Sequence, residues 1–308
     1  MPVVSVINYK GGVGKTTLTA NLGAELAFRG KNVLLIDLDP QASLTFSLVK
    51  PDYWKNDLAP NKTIKRWYDS LASGASLKLS SLIFEPPTMK RLMPRNRGSL
   101  HLIPSHLGLI NVDLELATEL GGGTLKQNKL KYLRVHRRLS EGLLEQDFEQ
   151  YDVILIDCPP NFNVVTKTAI VASQYVLIPA KADYLSTMGI DFLIHSLNEL
   201  VGSYNDYADL EDGGVEIEKI KPEILGVVFT MIQMYADRPI AALRQYMAQT
   251  SSLGVPVFTN HVRENKTLFA EAPREGVPVV MKPTAGTGKV IVGELEALVA
   301  EFAAKLGI

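Results

Sequence analysis

The chain reads as an α/β protein: a doubly wound, mostly parallel sheet with helices on both faces. Three observations point there. Short apolar runs alternate with longer amphipathic stretches along most of the chain, the pattern of repeated strand–helix units. Runs such as Val153-Ile154-Leu155-Ile156 are apolar on both faces, as strands covered on both sides by helices must be. A glycine-rich turn joins the first strand to the first helix.

In order, Val3–Ile7 reads as a buried strand and Lys15–Arg29 as a helix, ended by Gly30 at the C′ position. Val33–Asp37 is the next strand, stopped by Asp39-Pro40. Leu100–Pro104, Val153–Asp157, Tyr175–Pro179, Ile224–Thr230 and Val255–Phe258 read as later strands. Helices are expected at Val164–Ala172, Ser186–Val201, Arg238–Thr250 and Gly288–Leu306. Two stretches break the rhythm. Lys50–Gly98 is rich in Pro, Asn and Ser, with a helical hint only near Thr63–Leu71. Glu211–Lys221 is acidic and carries Gly213-Gly214. Neither has the apolar periodicity of a separate core, so residues 1–308 are expected to form one domain, with an insertion around 50–98 and a peripheral loop around 211–221.

The chain has 308 residues, with 32 Lys plus Arg against 33 Asp plus Glu, which excludes a uniformly basic nucleic-acid coat but not a local basic patch. A lone cysteine, Cys158, cannot form an internal disulfide, and no Cys/His cluster has zinc-ligand spacing. No leader-like segment or bilayer-length apolar run is present. A cytoplasmic setting is expected.

The segment Lys10-Gly11-Gly12-Val13-Gly14-Lys15-Thr16-Thr17 lies between the first strand and the first helix. Its backbone N–H groups can turn inward around phosphate oxygens, helped by the dipole of the helix that follows. Lys15 is placed to reach the β/γ-phosphates, and Thr16 to offer a hydroxyl to Mg²⁺. Tyr9 stands where a standard G-x-x-x-x-G-K-[ST] loop has its first glycine, and Lys10 is an extra cation. Two lysines in one small loop repel unless one points elsewhere, for example toward a phosphate held by a facing subunit. Asp157, at the carboxyl end of a buried strand, faces the crevice where such sheets bind ligands and is placed to hold Mg²⁺ through water.

The K-G-G-V-G-K-T-T run resembles the deviant Walker A motif of the ParA/MinD class of P-loop ATPases. Ile36-Asp37-Leu38-Asp39-Pro40-Gln41 resembles that class's second motif, in a form closer to ParA than to MinD, and Tyr151–Pro160 its Walker B strand. The resemblance implies an ATP- and Mg²⁺-dependent homodimer that sandwiches two nucleotides. Lys10, Lys15 and Asp39 would be catalytic; Lys10, Gly11, Gly12, Val13, Gly14, Lys15, Thr16, Thr17 and Met231 would bind nucleotide; Thr16, Asp39 and Asp157 would serve the metal. Asp37 is expected to have a hydrogen-bonding role. Val262–Pro273 resembles the class's late base-side loop, with Glu264 near the place of a proline common there.

The class also implies slow hydrolysis stimulated by a ParB-like centromere-binding partner or another adaptor, and association with the nucleoid. A first strand at residue 3 leaves no room before it for an operator-reading domain, so DNA contact is expected to be non-specific. Arg238, Arg263, Lys266 and Arg274 form one candidate surface for it; Lys126, Lys129, Lys131, Arg134, Arg137 and Arg138, on one helix, form another. The single cysteine excludes a cluster-bearing nitrogenase-type relative. The final helix reads as core-packed rather than as a membrane anchor, so no membrane partner is expected. Two cargo readings stay open: segregation of a plasmid or chromosome, and positioning of a protein assembly such as a chemoreceptor array or microcompartment. A metabolic P-loop ligase, of the dethiobiotin-synthetase kind, would lack a reason for Lys10 and for the D-P-Q motif.

Overall fold

The computed structural model describes residues 1–93, 97–209, 217–236 and 238–308. Six parallel strands form the central sheet in the order β3-β2-β4-β1-β5-β6. They are β1 (Val3–Val6), β2 (Asn32–Asp37), β3 (Ser99–Ile103), β4 (Val153–Asp157), β5 (Tyr175–Ala180) and β6 (Glu223–Phe229). Alternate residues on each strand point to opposite faces, so each strand feeds two cores. Leu34, Ile36, Ile154 and Ile156 enter one of them, and Val33, Leu35, Val153 and Leu155 the other. All eight are buried, which explains why these strands read as unbroken apolar runs.

Helix α1 (Lys15–Phe28), α2 (Ser43–Leu48) and the last two helices, α11 (Lys266–Glu275) and α12 (Thr287–Leu306), contribute to the second core. Ile291, Leu295, Leu298, Val299 and Phe302 bury one side of α12, as its sequence pattern requires. The opposite face carries α6 (Leu109–Glu119), α7 (Leu125–Gly142), α8 (Val164–Val171) and α9 (Tyr184–Ala208). Among the described residues no helix is long and apolar enough to cross a membrane.

The segment between β2 and β3 folds as α3 (Pro51–Tyr53), a π turn at Trp54–Leu58, α4 (Ile64–Ala72) and α5 (Pro87–Leu92). It feeds both faces of the sheet: Trp54, Leu58 and Met89 pack on one, and Ile64, Trp67 and Tyr68 on the other. The acidic stretch expected as a loop at 211–221 lies mainly outside the described residues.

Two expectations are corrected. Val255–Phe258 is not a strand. It makes a single bridge, Val227 to Val257, because Pro256 has no N–H with which to extend a ladder. Arg238 does not open a helix. It lies in β8 (Arg238–Pro239), paired with β7 (Met234–Tyr235), and α10 (Ala241–Ser251) starts beyond the proline that disfavours helical backbone at Arg238.

Candidate active site

The β1–α1 loop lies at the carboxyl ends of β1, β4 and β5, where the winding of the sheet changes direction. Gly12 (φ 68°) and Gly14 (φ 82°) occupy left-handed backbone that side-chain-bearing residues adopt only at a cost. Thr230, at the end of β6, clamps the loop by donating its hydroxyl to the Val13 carbonyl at 2.7 Å. Lys15 is buried, and its Nζ donates to the carbonyls of Asn8 (3.1 Å) and Lys10 (3.4 Å). Burial lowers its pKa, against the opposing pull of Asp157 and Asp39.

Asp157 and Asp37 are register partners on neighbouring strands, both fully buried. Burial, reinforced by the Asp37 charge, raises the pKa of Asp157 well above the carboxylate range. Burial likewise pushes Asp37 up to about 7, against hydrogen bonds from Thr45 and the Asp39 N–H. Asp37 has the hydrogen-bonding role expected of it. Thr16 donates to Asp157 Oδ2 at 2.7 Å, whereas Asp157 Oδ1 is buried with no hydrogen-bond partner among the described residues. Asp39 sits just beyond β2, its carboxylate accepting from the Gln41 N–H at 2.9 Å.

Lys10 leaves the cradle. Its Nζ donates to both carboxylate oxygens of Asp183, at 2.9 and 2.7 Å, and to the Ser186 hydroxyl at 3.2 Å. The two lysines thus diverge, as their mutual repulsion requires.

Beside the loop opens a cavity of about 340 Å³, walled by Gly14, Thr17, Met231, Arg263, Phe269 and Leu295 among others. Met231 holds positive φ (54°) at its edge. Arg263 belongs to this wall: its Nε donates to Glu294 at 2.7 Å, and its side chain is only 16% exposed. It is the least exposed of Arg238, Arg263, Lys266 and Arg274. Lys266 also lines the cavity and stands 3.7 Å from Glu264, but its side chain is 90% exposed, and Arg238 and Arg274 are exposed as well. The basic face of α7 is largely engaged within the chain. Arg138 pairs with Glu119, Arg137 with Glu141, and Lys131 donates to the Gly121 and Gly122 carbonyls.

Comparison with known proteins places this geometry. An AAA-domain family model matches residues 1–209. The chromosome-partitioning ATPase Soj of Treponema pallidum is 30% identical over 273 residues, covering 89% of this chain and 87% of its own length. The chain belongs to the ParA/MinD class of P-loop ATPases. Another relative, the chromosome partitioning protein ParA of Caulobacter vibrioides, is 28% identical over 282 residues, 91% of this chain and 86% of that one. A solved ATP complex of a McdA variant from Cyanothece shares the fold, with a TM-score of 0.71 at 20% identity over 100% of this chain and 97% of that one.

The ParA/MinD loop here fits a nucleotide and a hard divalent ion. Gly11 and Gly12 are exposed, with no described atom within 4 Å of where a side chain would start, so the loop is open to solvent there. Among the described residues no group of three or more His, Cys, Asp or Glu is disposed to hold a metal alone. The donors at hand are the Thr16 hydroxyl and Asp157 Oδ1, the latter unpartnered among the described residues, and they suit Mg²⁺, which keeps waters and phosphate oxygens in its shell.

Asp183 and Ser186, which hold the Lys10 ammonium, are contacts that the motifs do not reveal. Asp183-Tyr184-Leu185-Ser186 does carry a cap signature, and the Asp183 carboxylate accepts from the Ser186 N–H at 2.8 Å.

Proposed function

We propose that the chain is a ParA-type ATPase whose ATP-loaded form is a dimer that binds DNA without sequence preference and is released when a ParB-like or other adaptor partner stimulates hydrolysis. The observation that carries this reading is the position of Lys10. Its ammonium stands at the rim of its own cradle, on Asp183, and beside it Tyr184, Leu185, Met188 and Phe192 of α9 leave apolar surface exposed. An apolar, water-excluding rim around a cation is what a second subunit's nucleotide would need.

In this reading Lys15 exchanges the Asn8 and Lys10 carbonyls for β/γ-phosphate oxygens, which makes up for the hydrogen bonds it gives up. The loop N–H groups and the α1 N-terminus share the remaining phosphate charge. Thr16 and Asp157 would hold Mg²⁺, which when bound would supply charge neutralisation at the transferring phosphoryl group. Asp39 orients the attacking water. Lys10 swings from Asp183 to the partner's nucleotide, where a charge-assisted contact contributes roughly 1.5–3 kcal/mol. The cavity beside Gly14, walled in part by Met231 and Phe269, would take the base. Arg238, Lys266 and Arg274 supply phosphate neutralisation on DNA.

Titration with a fluorescent ATP analogue tests the nucleotide assignment. Lys15→Ala is expected to abolish binding, and unchanged affinity would defeat the reading. Asp39→Ala is expected to bind ATP and dimerise on a sizing column while losing turnover. A monomeric Asp39→Ala protein under saturating ATP would contradict its assigned role.

A further inference from the structure

We propose that Thr45 and Ser105 are positioning residues for Asp39, a role that rests on the ATPase reading above. The backbone around Asp39 is locked into a closed hydrogen-bond ring. The Asp39 N–H donates to Asp37 Oδ1 at 3.1 Å, and Thr45 donates to Asp37 Oδ2 through both its N–H (2.8 Å) and its hydroxyl (2.7 Å). Thr45 Oγ1 in turn accepts from the Ser105 N–H at 2.9 Å, and the Ser105 hydroxyl donates to the Asp39 carbonyl at 2.7 Å. The ring therefore starts at the Asp39 N–H and returns to the Asp39 C=O, pinning both peptide units that flank the residue.

Its members come from three separate places: the end of β2, the first turns of α2, and the connection from β3 to α6. Asp37, Thr45 and Ser105 are fully buried, so water cannot stand in for a missing partner. The turn that the ring encloses needs such support. Ala42 lies in left-handed backbone (φ 53°) and donates its N–H to the same Asp39 carbonyl at 2.8 Å. The Ser105 carbonyl accepts from Trp54 Nε1 at 3.0 Å, which ties the segment after α2 to the ring. Among the described residues, the Thr45 hydroxyl and Ser105 bond to Asp37, Asp39 and each other rather than to the phosphate loop. Removing one leaves nucleotide contacts in place while the carboxylate that orients the attacking water loses its fixed base. The expected signature is a fall in kcat with nucleotide affinity retained.

The test compares full-length wild type with Thr45→Val, Thr45→Ser and Ser105→Ala. The readouts are single-turnover hydrolysis of MgATP, affinity for a fluorescent ATP analogue, and thermal unfolding, with rates taken well below each variant's transition. Thr45→Val, which keeps the shape and removes the hydroxyl, should lower kcat by about 10- to 100-fold, the range seen for sub-ångström to ångström misplacement of a reacting group. Its nucleotide affinity should stay within about threefold, the split that marks loss of a contribution to the chemical step alone. Thr45→Ser should recover most of the rate. If Thr45→Val does not fold, Ser105→Ala carries the test, because it keeps the N–H to Thr45 and removes only the hydroxyl that holds the Asp39 carbonyl. A folded Thr45→Val or Ser105→Ala protein with wild-type kcat would overturn the proposal. So would a Thr45→Ser protein as slow as Thr45→Val, or a rate loss matched by an equal loss of affinity. A wild type that hydrolyses no ATP would remove the ATPase reading and this one together; an active wild type with equally active variants would remove only this one.

Discussion

Lys10 and Asp183, 173 residues apart in sequence, are joined by a two-point ion pair at 2.9 and 2.7 Å, and the same Asp183 carboxylate caps α9 through the Ser186 N–H. One side chain thus ties the phosphate loop to the first turn of α9. Burial alone would raise the pKa of Asp183, but the Lys10 and Ser186 hydrogen bonds outweigh it and hold the carboxylate below its ordinary range. The pair is partly open to water, with Lys10 32% and Asp183 40% exposed. Solvent screening limits such a pair to about 0–1 kcal/mol, so Lys10 is held in place yet easily recruited elsewhere.

Asp183→Asn separates the charge from the cap, because asparagine caps a helix as well as aspartate does. The variant should unfold within about 1 kcal/mol of wild type. With Lys10 no longer paired, it should form the ATP-dependent dimer at equal or lower protein concentration. Sedimentation velocity across a concentration series checks this. A variant that is stable but unable to dimerise would show that Asp183 acts in the dimer itself.

The surface cations and the cavity arginine should behave differently on DNA. Lys266→Ala and Arg274→Ala should weaken binding of the ATP form to duplexes of any sequence, and each should reduce the slope of log affinity against log salt by about 0.9 per lost phosphate contact. Arg263→Ala should leave that slope unchanged and instead weaken nucleotide binding, because it opens the cavity wall and leaves Glu294 with the backbone N–H at 263 but without its charged partner. Fluorescence anisotropy at several salt concentrations separates the two outcomes.

The strands were legible because burial on both faces makes each a continuous apolar run, and the cradle because strand, glycine loop and helix adjoin in sequence. Helix α6 was not. Its buried Leu109, Val112 and Leu116 are interleaved with exposed Ile110 and Leu114, which blurs the 3.6-residue period. The partners of Lys10 and Arg263 were hidden for another reason. Asp183 and Glu294 reach them only through the winding of the sheet, and charge counts along the chain cannot distinguish an internally paired cation from an exposed one. The same holds for the basic run on α7, whose acids Glu119 and Glu141 lie just outside it.

His136 makes the fold acid-sensitive. It is fully buried on α7, its Nδ1 bonded to the Tyr132 carbonyl at 2.7 Å and its Nε2 without a partner among the described residues. Burial, with Lys167 nearby, lowers its pKa to about 4 despite the Tyr132 bond, so the folded state keeps it neutral. Below the unfolded value of about 6.5 the unfolded chain takes up a proton that the folded one refuses, and stability falls as pH drops from there toward 4. The contribution lost between pH 7 and 5 is about 2 kcal/mol. Urea unfolding at both pH values should show wild-type stability falling by about 2 kcal/mol relative to His136→Phe, a comparison in which the opposing proton uptake by Asp37 cancels; an unchanged difference between the two proteins would exclude His136 as a source of acid sensitivity.

The account turns on Lys10 serving a nucleotide other than its own. The most direct measurement is ATP affinity, ATP-dependent sedimentation and ATP turnover of Lys10→Ala beside wild type, in Mg²⁺. If the lysine acts across the dimer, the variant binds ATP within about threefold of wild type but stays monomeric and does not respond to a stimulating partner. A Lys10→Ala protein that dimerises with ATP and hydrolyses it at the wild-type rate would contradict the account.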